Sequence, residues 1–289
     1  MRAGRYPRVV TTPVPAEPET RAARRALRAS AGEVADPQAP PPRSRPVVAA
    51  ATVVTALLVA GSAASGERIL ELLAVVAAGL VVAIGWPSLV GSRTPVGTTA
   101  VLAVTSLALG AALVLQDEEP YLEHVPAAMA LGIVAMCLHP LLQAPARVQL
   151  ARSMAGTSLG ILLIGGGGLL TSTVYADNHG PVVIVGIGLA VAALVDLVLE
   201  RPATSAWMIP AAMGVGGLAG LVAHLVLSGS LSAWSALLGV IGAGTAVALR
   251  RALSQQRAID TVAGALAAGA ASVLVAGPLV HLVARLPLA

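Results

Sequence analysis

From residue 47 to residue 283 the chain alternates between predominantly apolar runs and short polar joints. The runs fall at 47–64, 69–90, 96–115, 122–143, 154–174, 181–199, 207–227, 231–249 and 259–283. Most hold eighteen to twenty-five residues. As α-helix, at about 1.5 Å per residue, such a run crosses a hydrocarbon core about 30 Å thick. Lipid offers exposed backbone amides no partner, so these segments must be helical. They predict an all-α, polytopic transmembrane helix bundle of about nine spans. Only 11% of the residues are charged, where soluble domains carry about 25%.

Arginine orients the bundle. The chain has no lysine, and its eighteen basic side chains are all Arg. With the N-terminus in the cytoplasm, nine tail arginines and Arg93, Arg147, Arg152, Arg201, Arg250, Arg251 and Arg257 fall inside; only Arg68 and Arg285 fall outside. The positive-inside rule predicts that skew, and with it an extracytoplasmic C-terminus in the plasma (inner) membrane.

Two regions follow. Residues 1–46 form an Arg/Pro-rich cytoplasmic tail that buries too little apolar area to fold alone. Within it, around residues 20–30, Arg21, Arg24, Arg25 and Arg28 share one helical face. That face suits anionic lipid headgroups, while a disordered tail that only enforces topology explains it as well. No aromatic stacking residues accompany these arginines, which argues against nucleic acid. Residues 47–289 form the transmembrane domain.

Four carboxylates gather in LQDEEPYLEHV, as Asp117, Glu118, Glu119 and Glu123. This joint lies on the outer side, where acids are simply hydrated. Other candidates for an ion or substrate site reach the same edge: Glu71, His124, Asp177, His179, His224 and His281. Imidazoles and carboxylates can hold a divalent cation or a proton, but no HExxH, CxxC or paired His at i, i+4 is present. Glu71 and His224 stand out, because each lies about a turn inside its run, where an unpaired charge is costly. A convergent site would have these two as its floor, and Arg68 could instead pair with Glu71 at i, i+3. On the inner side, Asp196, Glu200 and Arg201 are candidates for an ion pair, with Arg147 and Arg152 on the same side.

Gly165, Gly166, Gly167 and Gly168 stand in succession, and Gly216 and Gly220 are four apart. Small faces let helices approach closely, within the bundle or in a homo- or hetero-oligomer. Four in a row also suit a broken helix of the kind that lines transporter sites. Trp86, Trp207 and Trp234 lie near span ends and read as interface anchors. Cys137 reads as a buried structural thiol.

The Ala/Arg-rich, Lys-free style resembles multi-pass membrane proteins of high-GC actinobacteria, a likeness of composition that carries no activity or site with it. There is no nucleotide loop, no GxSxG and no aspartate-rich prenyl-diphosphate motif. The chain thus points to a permease or transporter for a small solute or ion, or to a non-catalytic partner in a larger membrane assembly. An intramembrane enzyme would have to use the outer His and acidic residues. No cofactor is implied.

Overall fold

A computed structural model of the chain describes residues 46–92, 94–115, 122–142, 150–175, 178–198 and 207–285. The tail helix, Asp117–Glu119, Asp177, Glu200 and Arg201 lie outside these residues. The described part is helical: α1 Pro46–Ala64, α2 Arg68–Leu89, α3 Pro95–Val114, α4 Val125–Leu142, α5 Leu150–Tyr175, α6 Gly180–Val198, α7 Met208–Ser228 and α8 Ala233–Ser254, then a 3-10 turn Arg257–Asp260, α9 Val262–Leu274 and α10 Gly277–Ala284.

Among the described residues, eight segments are long and apolar enough to cross a membrane, with α9 and α10 together making one of them, Val262–Ala284; the apolar stretch Val125–Pro140 of α4 is shorter. Its packing shows how α4 runs. Gly97 of α3 lies against His139 and Gly132 lies against Thr105. On the opposite flank Gly165 of α5 lies against Met129, and Ser158 Oγ is 3.2 Å from Met136 Sδ. In both pairs one number rises as the other falls, so α4 runs antiparallel to α3 and to α5 and reaches the same two levels.

The remaining neighbours fit strict alternation. α1 and α9 are parallel, with Val48 and Ala51 on Gly269 and Thr52 on Ser272. α6 and α8 are also parallel, with Gly188 on Gly239 and Asp196 on Arg250. Parallel pairing of helices an even number of crossings apart is what nine alternating crossings require. Pro46 and Arg285 therefore lie at opposite ends of the bundle. If the arginine skew orients it correctly, reporters fused after Gly91, after Asp117 and at Ala289 will read inside, outside and outside. An inside reading at Ala289 would overturn the odd count.

α5 is enclosed by the main core at its glycine run, although Leu159 and Leu162 earlier in the helix are exposed. Gly165, Gly166, Gly167 and Gly168 are all buried within an unbroken helix. A Cβ on Gly165 would collide with Met129; on Gly166 it would lie 3.1 Å from the Leu274 carbonyl oxygen. On Gly167 it would lie 2.5 Å from Leu274 Cδ2 and 3.4 Å from Val75 Cγ1, and on Gly168 2.9 Å from Leu109 Cδ1. Successive helical residues are turned about 100°. A helix packed on one side needs a small residue every fourth position, whereas one enclosed on all sides needs them consecutively.

A break occurs instead in the helix facing this run. Pro278 has no N–H to donate to the Leu274 carbonyl, and the ninth span parts into α9 and α10. Gly277 there lies directly on the Gly166 carbonyl, backbone to backbone.

Candidate functional site

Two groups of buried polar side chains stand apart from the apolar packing, one toward each end of the bundle. The first is built on α8. Its buried stripe is Gly239, Gly242, Ala243, Ala246, Val247, Arg250 and Leu253, spaced at three and four residues as a helix face must be. Arg250 thus occupies a core position; its side chain is 6% exposed. Nε donates to Asp196 Oδ2 at 2.8 Å. Nη2 lies 2.7 Å from the same oxygen, off the hydrogen-bond line, so Asp196 Oδ1 has no partner among the described residues.

The guanidinium reaches further. Nη1 is 3.4 Å from Ser272 Oγ on α9, and Ser272 Oγ is 3.1 Å from Thr52 Oγ1 on α1. Ser272 Oγ also lies 2.7 Å from the Gly269 carbonyl and Thr52 Oγ1 2.9 Å from that of Val48. Each hydroxyl has one proton for these contacts. If Ser272 gives its proton to Gly269, it accepts from Arg250, and Thr52 chooses between Val48 and Ser272. A connected polar chain, Asp196–Arg250–Ser272–Thr52, therefore joins α6, α8, α9 and α1.

Asp196 was expected beside Glu200 and Arg201; the arginine that holds it lies 54 residues further on. Ser272 and Thr52 were not anticipated. Arg250 was legible in principle, because it continues the small-residue stripe of α8 while Arg251 does not.

Toward the other end, Glu71 lies in the buried stripe of α2 with Leu72, Val75, Ala78, Gly79 and Val82. It is 0% exposed, and neither carboxyl oxygen has a hydrogen-bond partner among the described residues. Arg68 does not hydrogen-bond to it; its Nη2 donates to the Leu113 carbonyl of α3 at 3.3 Å.

The histidines go to separate places. His281 Nδ1 is 2.5 Å from Ser172 Oγ on α5. His224 Nε2 is 3.5 Å from Ser230 Oγ, in the turn after α7 that Gly229 closes at φ 70°. His179 lies over the turn at Gly66, and its Nδ1 is buried without a partner among the described residues. Glu123 and His124 are exposed. α2 packs on α1, α3, α5 and α9, whereas α7 packs on α6 and α8, so Glu71 and His224 do not share a floor. Among the described residues no three His, Cys, Asp or Glu side chains come together to hold a metal ion.

Other expectations change in the same way. Trp86 is fully buried rather than at the interface, and its Nε1 donates to the Gly156 carbonyl at 2.8 Å. Gly160 leaves room for its ring: a Cβ there would lie 3.0 Å from Trp86 Cδ1. Trp207 is exposed. Cys137 is exposed on α4 rather than buried.

Gly216, Gly217 and Gly220 are covered from within the chain, by Gly239, Ala243, Val240 and Ser235 of α8. A groove of about 470 Å³ between α6 and α7 is lined only by apolar side chains, among them Ile187, Val191, Leu218, Val222 and Val226. It offers a solute no hydrogen bond.

The described helices make this a multi-pass membrane protein. Compared with known proteins, the chain matches no family model, no curated protein and no solved structure.

Proposed function

We propose that the protein is a permease-like bundle of the plasma (inner) membrane that moves a small solute or ion. The observation that carries this reading is the Asp196–Arg250 pair and its extension through Ser272 to Thr52. Apolar residues of similar volume would hold four helices together as well or better, because burying two charges forfeits their hydration. Ionisable side chains inside membrane bundles mark ion and solute paths. The chain of contacts ties helices that are not consecutive, so parting it would open the inner end.

The assembly-partner reading relied on free glycine faces, and the glycines of α7 named above are used inside the bundle. That favours transport over docking through those faces.

The test is reconstitution into proteoliposomes, with flux of ions and of a mixed solute pool followed under imposed gradients. Flux above protein-free liposomes, reduced about tenfold or more in D196N, is expected. Flux indistinguishable from protein-free liposomes for every gradient, with protein folded and inserted, would overturn the reading.

A further inference from the structure

We propose that Glu71 binds a small monovalent cation, Na⁺ or a proton, and that this is the ion to which transport couples. The coupling role rests on the permease reading; the binding does not.

The carboxyl is fully buried within a helix of membrane length, and both of its oxygens lack partners among the described residues. An ionised carboxylate there requires a positive partner or several hydrogen bonds. Arg68 reaches α3 instead. At positions where structure alone is at stake, the core around it uses Ala, Val, Leu and Ile with Trp86 and Met136. A glutamate in the same stripe adds nothing that leucine would not, unless it takes up an ion.

Its surroundings contain oxygen. Val75 meets Gly167 and Leu274 at one junction of α2, α5 and α9. α2 and α5 run antiparallel, since Val90 meets Gly156 and Trp86 meets Gly160. One turn outward from that junction, Glu71 and Thr171 therefore share a level. Thr171 is 0% exposed. The break in the ninth span lies within about one turn of that level. Around it, Val275 N takes the Ala271 carbonyl at 3.0 Å and Ala276 N the Val273 carbonyl at 3.1 Å. Leu274 keeps a carbonyl that Pro278 cannot serve. Helix C-termini inside membranes carry partial negative charge and hold Na⁺ or H⁺ in this way.

The charge count selects the ion. One carboxylate balances one positive charge. A divalent ion would need further acidic or imidazole ligands, and no such group forms among the described residues. α1, α3 and α9 carry no titratable side chain. At this end of α2 and its neighbours stand Glu67 and Arg68 of the α2 start, His179 over the turn at Gly66, Arg285 at the end of α10, and His281, which is engaged by Ser172.

The experiment compares the full-length parent, E71Q and the triple variant D117N/E118Q/E119Q, purified in detergent. Thermal unfolding is read against NaCl, with choline chloride holding ionic strength, and separately against pH from about 5 to 9 in choline. At a hundredfold excess over Kd, bound Na⁺ should raise Tm by about 5 °C. Parent and triple variant should show that rise and E71Q should not, which identifies Na⁺. No response to Na⁺, with a pH response that E71Q loses and the triple variant keeps, identifies the proton. Identical curves for parent and E71Q in both titrations overturn the proposal.

If E71Q fails to fold, the parent alone decides. A hydrophobic carbodiimide should modify Glu71, found by mass spectrometry, and NaCl or raised pH should protect it. An unmodified Glu71 under every condition overturns the proposal. Flux that stays coupled to the same ion gradient in E71Q would remove the coupling role and leave the permease standing. Glu71-dependent binding with no flux under any gradient would do the reverse.

Discussion

Arg250→Met alone should destabilise the protein more than Arg250→Met and Asp196→Leu combined. The single substitution leaves the Asp196 carboxylate in a site where its side chain is 19% exposed and removes the only cation it touches among the described residues. Breaking a buried pair from one side costs about 3–5 kcal/mol, whereas replacing both partners with apolar groups is often close to neutral. Asp196→Asn should fall between, because the amide keeps the shape and one acceptor for Nε but leaves the guanidinium charge uncompensated. Thermal unfolding in detergent of the parent, Arg250→Met, Asp196→Leu, the double variant, Asp196→Asn and Ser272→Ala would measure this. Ser272→Ala should cost about 1 kcal/mol, the size of one hydrogen bond at 3.4 Å. A double variant as unstable as the sum of its singles would show that the two side chains do not act as a pair. The flux test separates structure from transport: D196L/R250M should fold well and move nothing.

The spans were legible because length and apolarity are local properties, and the all-helical bundle follows from them. What surrounds each span is not local. Trp86 sits near a span end, where tryptophan normally anchors at the interface. It is buried because Gly156 and Gly160, seventy and more residues on, leave a slot and a carbonyl for it. Cys137 lies in as apolar a run as any core residue, yet it faces outward, since in lipid both the inside and the outside of a helix are apolar. The same ambiguity hid the partners of Asp196. Arginines close in sequence were natural candidates, and the one that pairs with it is reached only through the parallel contact of α6 and α8. Glu71 was legible as an anomaly, because a carboxylate a turn inside an apolar run is unusual wherever its neighbours lie. The outer histidines were legible only as a count on one side. Their separation follows from which helices pack together, and Glu71 and His224 stand on helices that do not.

Gly277→Val should give the largest loss of folded protein of any single glycine substitution in the bundle, and the reason is what each glycine touches. Adding a methyl to a helical glycine has two opposite effects. It restores about 0.5–1 kcal/mol of backbone preference, and it inserts volume that costs about 1–3 kcal/mol or more where packing is tight. At Gly214 of α7 and Gly61 of α1 nothing lies within 4 Å of a new Cβ, so Ala there should leave stability unchanged or raise it slightly. At Gly165 and Gly167 the obstacles are the ends of Met129 and Leu274, side chains that can move, so Ala should cost about 1–2 kcal/mol. At Gly277 the obstacle is the Gly166 carbonyl, part of the backbone of the enclosed helix α5. It cannot move without shifting α5 against the helices around it. Ala at Gly277 should cost about 3 kcal/mol or more, and Val should prevent assembly of the ninth span. Gly85, which meets the Ala263 carbonyl at the α2–α9 contact, should rank next, followed by Gly239 on the Gly216 backbone at the α7–α8 contact. The measurement is the monodisperse fraction after detergent extraction, followed by Tm for whatever survives. If G277V survives as well as G214A, the backbone contact between Gly166 and Gly277 does not hold the broken ninth span against α5.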